Sequence, residues 1–355
     1  MKTISFYTKY GKLGASSRLR SHQFITYLND YFKVKNNILL DDVYIKKLYN
    51  KEKQSKIKIL FTYLRRFKSI IFDNSEVIII EKELFPYIPY IVEKFCLLGK
   101  KYIIDIDDAL FHNYDLNKNY FIRILLGNKI KMLFKNSEIT TAGSPYIYDY
   151  AKSTGAKNVI YFPTVVELKK YNINELPKHK LNNNIVIGWI GTNITVKYMD
   201  SIIEILEKVS LQIEQKIVLH IIGANKQFKS QNFTIKNIVW AEESEVDSIN
   251  MIDIGIMPLP NGLWEKGKCA YKLIQYMACQ KPVIASNVGA NTVVVEHGIN
   301  GFLCENHHDW SKYLIMLLSS QELRARLGKN GRMKVESSYS LETNIAVYEK
   351  MLNYI

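Results

Sequence analysis

Cysteine is scarce and unpaired in this sequence: Cys96, Cys269, Cys279 and Cys304 form no C-x-x-C motif and keep no zinc-ligand spacing to a histidine. That pattern argues against a disulfide framework and against a structural metal, and reduced thiols are expected. No apolar run reaches the roughly 18 residues that a membrane-spanning helix needs. The opening MKTISFYTKYGK reads as a strand and a loop, not as a secretory signal, so a cytosolic chain is expected. A G-x-G-x-x-G fingerprint is missing, which leaves hydride chemistry on a dinucleotide without support. Low-complexity tracts are missing too, and no repeat appears beyond a recurring strand and helix rhythm.

What is present is a globular composition, with 47% hydrophobic and 23% charged residues over 355 positions. A chain of this length is expected to divide into two domains of roughly 150 to 200 residues. The net charge of +14 is unevenly spread: residues 1–170 carry 29 Lys and Arg against 16 Asp and Glu, while residues 171–355 carry 19 against 18. A one-sided basic field of this kind suits an anionic partner such as phosphorylated lipid, a membrane surface or nucleic acid.

Short runs of Ile and Val alternate with amphipathic stretches from end to end, the pattern of parallel sheets with helical crossovers. Strands are predicted near Ile4–Thr8, Asn37–Leu40, Val77–Glu81, Tyr102–Asp107, Glu138–Thr141 and Val159–Phe162. A polar stretch, YNINELPKHKLNNN, then reads as a linker. A second series follows near Ile185–Ile190, Ile217–Ile222, Ile238–Trp240, Ile254–Pro258, Pro282–Ser286 and Gly301–Cys304, before closing helices around Asp309–Leu318, Ser320–Ser337 and Leu341–Tyr354. Two doubly wound, Rossmann-like α/β domains are therefore expected, over residues 1–165 and 185–340 with a linker over 166–184, facing a central cleft.

The richest stretch is residues 255–304, GIMPLPNGLWEKGKCAYKLIQYMACQKPVIASNVGANTVVVEHGINGFLC. A strand ends at Pro258, and a loop holding Asn261, Gly262 and Gly267 is expected to open a helix near Lys268. Lys268, Lys272 and Gln275 would then share one helix face, bringing backbone N–H groups and two ammonium groups to one spot suited to a diphosphate. Basic residues on a helix face are as often simply solvated.

KLIQYMACQKPVIASNVGAN and EHGINGFLC resemble the "K-x-x-E-Y-M-A-x-G-x-P-V-V-A-S-x-x-G" and "xxGxNGfL" segments of the retaining glycosyltransferases of family 4, which have the GT-B fold. IGWIGTNITVKYMDSIIEIL, residues 187–206, is similar to that family's second-domain opening. The resemblance is specific over residues 185–305 and weaker over residues 1–165. It implies a hexosyl-type glycosyltransferase that retains anomeric configuration and takes a nucleoside-diphosphate sugar of the UDP or GDP type, with no separate cofactor. It places Gly191 and Thr192 beside the donor diphosphate, with Lys197 neutralising it. Gln275 falls where the family has the second Glu of an E-x7-E pair that binds ribose hydroxyls, and Gly267 where the first would stand. Lys268 and Lys272 are then expected to act as phosphate clamps. The final helix, residues 341–355, would pack back on the first domain. A sugar-nucleotide epimerase and a catalytically inactive sugar-nucleotide-binding subunit are the alternatives, the latter because both carboxylates of the pair are missing.

Fixed cations and dipoles can stabilise a departing nucleoside diphosphate without a metal, so no metal site is expected. In YIIDIDDALF, Asp107 or Asp108 reads either as a helix N-cap or as the strand end that carries an acid into the cleft, there to orient or deprotonate the acceptor hydroxyl. His112 is a weaker candidate for the acceptor side. Near the N-terminus, YTKYGKLGASSRLR sets Gly11 and Gly14 between the first strand and a helix capped by Ser16 or Ser17. The family resemblance turns this glycine loop toward donor diphosphate and acceptor, where Arg18 and Arg20 would meet acceptor phosphate. Trp240 reads as packing or as a nucleobase platform, and nothing in their spacing singles out Glu296 or His297.

Two segments carry the excess charge. From Tyr44 to Phe72 there are nine basic residues and one acid, with Ile59, Leu60, Tyr63, Leu64, Phe67, Ile70 and Ile71 at helical spacing. From Leu116 to Ser137 no acid occurs, while Lys118, Arg123, Lys129, Lys131 and Lys135 alternate with apolar residues. The apolar stripes are expected to pack on the sheet, leaving basic rims to touch an anionic membrane peripherally, on the inner face of the cytoplasmic membrane. The partners expected are thus a nucleotide-sugar donor, a lipid-linked or cell-surface glycan acceptor and that membrane surface. Nucleic acid is not expected, because no recognised binding module appears.

Overall fold

The computed structural model describes residues 1–50, 52–172 and 184–355. Most of the linker predicted over 166–184 lies outside the described residues. All twelve expected strands are present. The first six are β1 (Thr3–Tyr10), β2 (Lys33–Leu40), β3 (Val77–Glu81), β4 (Tyr102–Ile106), β5 (Ile139–Ala142) and β6 (Val159–Tyr161). They pair in parallel in the order β2-β1-β3-β4-β5-β6. β3 and β4 are buried at every position, as an inner parallel strand covered on both faces requires, which explains their near-continuous isoleucine.

The second six are β7 (Asn184–Ile190), β8 (Lys216–Ile222), β9 (Thr234–Ile238), β10 (Ile254–Met257), β11 (Val283–Ser286) and β12 (Gly301–Cys304), parallel in the order β12-β11-β10-β7-β8-β9. Strand periodicity divides β7 between two cores: Ile185, Ile187 and Trp189 join one, Val186 and Ile190 the other. β9 starts and ends earlier than expected. It is an edge strand whose sequence, TIKNI, is mostly exposed and lacks an apolar run, and its register is set by β8, with Ile222 opposite Ile238.

Both sheets reverse direction once, at β1/β3 and at β7/β10, and open α/β sheets take ligands outside the carboxyl ends of strands at such switch points. In the first sheet the β2 to β3, β3 to β4 and β4 to β5 crossovers all progress the same way. Right-handed connections therefore lay their helices on one face of the sheet. These helices are α1 (Lys56–Ile71), α2 (Tyr90–Cys96), α3 (Tyr120–Leu126) and α4 (Lys129–Asn136).

Two cations counted as free rims in the sequence turn inward. Lys129 is fully buried, paired with Glu83 at 2.6 Å and Glu93 at 2.7 Å. Arg66 is buried and donates to the carbonyls of Thr8, Asn37 and Leu84. The apolar stripe of α1 also departs from expectation, because only Ile70 is buried while Leu60, Leu64 and Phe67 stay exposed. An α/β helix needs one buried face, and here the opposite face is apolar as well.

The described chain forms two compact units. One joins Met1–Thr164 with Lys266–Cys269 and Ile345–Ile355, and the other joins Val165–Glu265 with Ala270–Asn344. The closing helix contributes to the first of them: Tyr348 stacks on Phe24 at 4.9 Å and meets the edge of Phe162, and Lys2 donates to the Leu352 carbonyl at 2.6 Å.

Candidate functional site

At the β7/β10 switch point of the second unit the chain leaves β7 through Gly191. A Cβ built there would stand 2.4 Å from the Trp189 ring and 2.8 Å from Lys272 Nζ, so only glycine lets these groups close in. Lys272 lies in helix α5 (Tyr271–Ala278), and its ammonium sits over the Trp189 ring at 4.4 Å from the centroid. Helix α5 is tied to the strand end through Tyr276, whose hydroxyl accepts from the Ile190 N–H at 2.8 Å. Gly255 makes room for the Tyr276 ring, since a Cβ would meet it at 2.3 Å. Thr192 and Lys197 are exposed on the turn that follows β7.

A carboxylate that sequence reasoning passed over stands at the same edge of this sheet. Glu245 accepts from the Gln275 amide at 2.6 Å through one oxygen and from the Trp240 indole N–H at 2.6 Å through the other. Gln275 is 2% exposed and also donates to the Tyr171 hydroxyl. Its amide is thus spent inside the protein, where it orients Glu245. The run AEESE after Trp240 was the available signal, but nothing in it distinguished one acid from the next. Gly223, at φ 86°, adds a second unforeseen element. It lets the β8 end approach Gly191, whose carbonyl would lie 2.5 Å from a Cβ there.

The helix expected to open near Lys268 begins only at Tyr271, because Ala270 adopts a left-handed conformation at φ 56° and breaks the helical path. Lys268 therefore shares no helix face with Lys272 and Gln275. It belongs instead to the first unit, with its Nζ 3.6 Å from Asp108. Gly267 packs on the backbone of Ala109: a Cβ would come within 2.6 Å of the Ala109 nitrogen, so no glutamate fits this position.

At the β1/β3 switch point of the first unit, strand register aligns Glu81 with Asp105 and Asp105 with Thr141. Three acids at neighbouring strand ends require cations, and each finds one or a hydroxyl. Arg20 is 1% exposed, grips both Asp105 oxygens and donates to the Phe162 carbonyl at 2.7 Å. Its guanidinium is fully committed, which corrects the expectation that it meets an acceptor phosphate. Asp107 accepts from Ser16 at 2.6 Å and pairs with Lys82 at 2.9 Å. Burial alone would raise its carboxyl, but Lys82, Ser16 and Arg20 outweigh it and hold the pKa near about 2. Glu81 takes the Ser17 hydroxyl at 2.6 Å, and burial pushes its carboxyl up against the opposing pull of Lys82. Lys82 itself sits at φ 67°, a left-handed residue held by this acid cluster.

Neither Asp107 nor Asp108 caps a helix; the next helix starts at His112, with Phe111 at its cap. Ser16 and Ser17 lie past the Gly14 cap and serve the acids. Asp108 is the most open acid of the group, 30% exposed and 3.8 Å from Lys82. Gly14 packs on Tyr10, and a Cβ there would lie 2.4 Å from the tyrosine Cβ. Arg18 remains half-buried beside the loop and reaches the Lys12 carbonyl. His112 is held by Asp115 at 2.8 Å and Tyr146 at 2.7 Å, which makes it a packing residue and corrects its reading as an acceptor contact.

Residues 173–334 match the family described as glycosyl transferases group 1. An uncharacterised glycosyltransferase of Methanocaldococcus jannaschii is 26% identical over 275 residues, covering 66% of this chain and 72% of its own. The capsular polysaccharide biosynthesis glycosyltransferase CapM of Staphylococcus aureus is 23% identical over 279 residues, 75% of this chain and 65% of its own. The Anabaena protein HepE, crystallised with UDP, superposes with a TM-score of 0.71 at 15% identity over the whole of both chains. That likeness establishes the GT-B fold of two Rossmann-like sheets.

Proposed function

We propose that this glycosyltransferase moves a sugar from a nucleoside-diphosphate sugar, of the UDP or GDP type, to a lipid-linked or cell-surface glycan, with retention and without a metal. The observation that carries the reading is the convergence of Gly191 and Lys272 at the β7/β10 switch point. Bond cleavage leaves growing negative charge on the diphosphate. A fixed ammonium beside a glycine turn that leaves room for the phosphate stabilises that charge without reorganising. In this reading Gly191, Thr192, Lys197 and Lys272 hold the diphosphate, and Glu245, oriented by Gln275, accepts from the ribose hydroxyls.

The unit that starts at Met1 takes the acceptor. Asp107, fixed as a carboxylate beside Lys82, orients the acceptor and supplies negative charge, while the more open Asp108 and Lys268 contact it. Gly14 and Arg18 border the same loop cluster. Retention and assignment to family 4 rest on the resemblance of residues 185–305 to that family. A cell-envelope or capsule-like acceptor draws support from the similarity to CapM. The enzyme would work in the cytoplasm, attached peripherally to the inner face of the membrane.

The test is a thermal-shift screen of UDP, GDP, ADP and CDP sugars, followed by transfer assays with and without EDTA and NMR of the product. Binding of a UDP or GDP sugar, EDTA-resistant transfer and a retained anomer are expected. Interconversion of the donor sugar without acceptor, or binding with neither hydrolysis nor transfer, would sink the assignment.

A further inference from the structure

Helices α1, α2, α4 and α3 lie side by side in that order on one face of the first sheet. Their inward residues build the core, with Ile70, Cys96, Leu126, Ile130 and Leu133 all buried. The outward side of such helices in a soluble α/β protein is normally polar. Here it is not. On α1, Ile57, Leu60, Phe61 and Leu64 follow one another at i, i+3, i+4 and i+7 and all face solvent, with Phe61 65% exposed. On α2, Ile91 and Phe95 repeat the i, i+4 spacing, Ile91 being 67% exposed. On α3, Phe121, Ile124 and Leu125 do the same, with Phe121 at 71%.

Apolar stripes exposed on three helices of one sheet face go beyond the singly scattered apolar residues of an ordinary surface, and mark a docking face. Its border selects the partner. Lys53, Lys56, Lys58 and Lys68 flank the α1 stripe, Lys94 lies on α2, and Lys118 and Arg123 accompany α3, all exposed. Glu93, the acid of α2, points into the core against Lys129. Two copies meeting through this face would bring like charges together, whereas an anionic bilayer neutralises the rim as its hydrocarbon boundary receives the apolar side chains.

We infer that the α1, α2 and α3 face inserts shallowly into an anionic lipid bilayer, with aromatic and aliphatic side chains, and not only basic rims, making the contact. The inference deepens the peripheral attachment proposed above and rests on it. Its failure would leave donor binding by the second unit standing, because none of these residues belongs to that site.

Co-sedimentation of the full chain with vesicles of phosphatidylcholine, alone or in equal mixture with phosphatidylglycerol, tests it. Binding to the mixed vesicles and little to the neutral ones is expected. Phe61→Glu with Leu64→Glu, and separately Phe121→Glu with Leu125→Glu, should each weaken binding at least about tenfold. Leu211→Glu, at an exposed apolar site of the second unit, should leave it unchanged. The substituted side chains are exposed, so the melting temperature should hold. Lys56→Gln with Lys58→Gln offers a variant that adds no charge repulsion and should also weaken binding. Absence of binding by the unmodified chain would overturn the inference, as would unchanged binding by the glutamate variants. So would a dimer, seen by sedimentation velocity, that the same variants dissociate while vesicle binding persists.

Discussion

Gln275 donates its amide hydrogen to Glu245 across 2.6 Å, so the carboxylate at this edge of the second sheet arrives from a different helix than the one bearing the glutamine. Replacing Glu245 by Gln should weaken nucleoside diphosphate binding about tenfold, roughly 1.4 kcal/mol. The reverse experiment discriminates further. Gln275→Glu would set two carboxylates against each other in a buried place and should destabilise the protein by about 1–3 kcal/mol. Calorimetry with UDP and a thermal melt read the two outcomes.

Lys272 stands within reach of Gly191 and above Trp189. Lys272→Ala should lower affinity for the nucleoside diphosphate at least about tenfold. Isothermal titration giving an unchanged affinity would reject the diphosphate clamp.

Gly267 has no room for a side chain beside the Ala109 backbone. Gly267→Ala should therefore cost about 1–3 kcal/mol of stability through overpacking, measured by denaturant unfolding. Gly267→Glu, which would restore the resemblance to family 4 at that position, should lose more stability and gain no activity.

Lys82, Ser16 and Arg20 hold the Asp107 carboxyl down to about 2 in the folded protein, below the ordinary aspartate value of 3.8. A depressed carboxyl stabilises the fold above the unfolded value, and that contribution drains away as the pH falls through the folded one. The stability gap between the native protein and Asp107→Asn should be full above about pH 4 and narrow between about pH 4 and pH 2. A gap that stays constant across this range in thermal melts would contradict the assignment.

Arg20 and Asp105 form a buried pair whose members cannot be removed singly without leaving a bare charge. Arg20→Met should cost about 3–5 kcal/mol, and adding Asp105→Leu should recover part of it. Urea unfolding of the single and double variants measures both steps.

Much of the fold was legible in the sequence because inner parallel strands announce themselves. VIIIE and YIIDI are apolar runs for which no other buried element of that length is available, and both were located to within a residue. β9 was misplaced because its edge position leaves TIKNI half polar. The Gly191 turn was readable through the resemblance of residues 187–206 to the second-domain opening of family 4. The placement of Lys268 on the helix face was misread because Ala270 turns left-handed, and a helical pattern gives no warning of one residue at positive φ. Glu245 was invisible for a different reason. Its meaning depends on Trp240 and Gln275, and Gln275 lies 30 residues away.

By itself the sequence determined the two alternating series, the glycines that let backbone and side chain close in, and the total of basic charge in the first half. These are local matters of periodicity, sterics and composition, and they survive any arrangement of the elements. The tertiary structure alone decided which charges are spent and which remain. It buried Arg20, Arg66 and Lys129 against acids or carbonyls, set a carboxylate from another helix against Gln275, and turned the apolar side chains of α1 and α3 outward. Partner and burial are properties of three-dimensional neighbours, and no spacing along a chain records them.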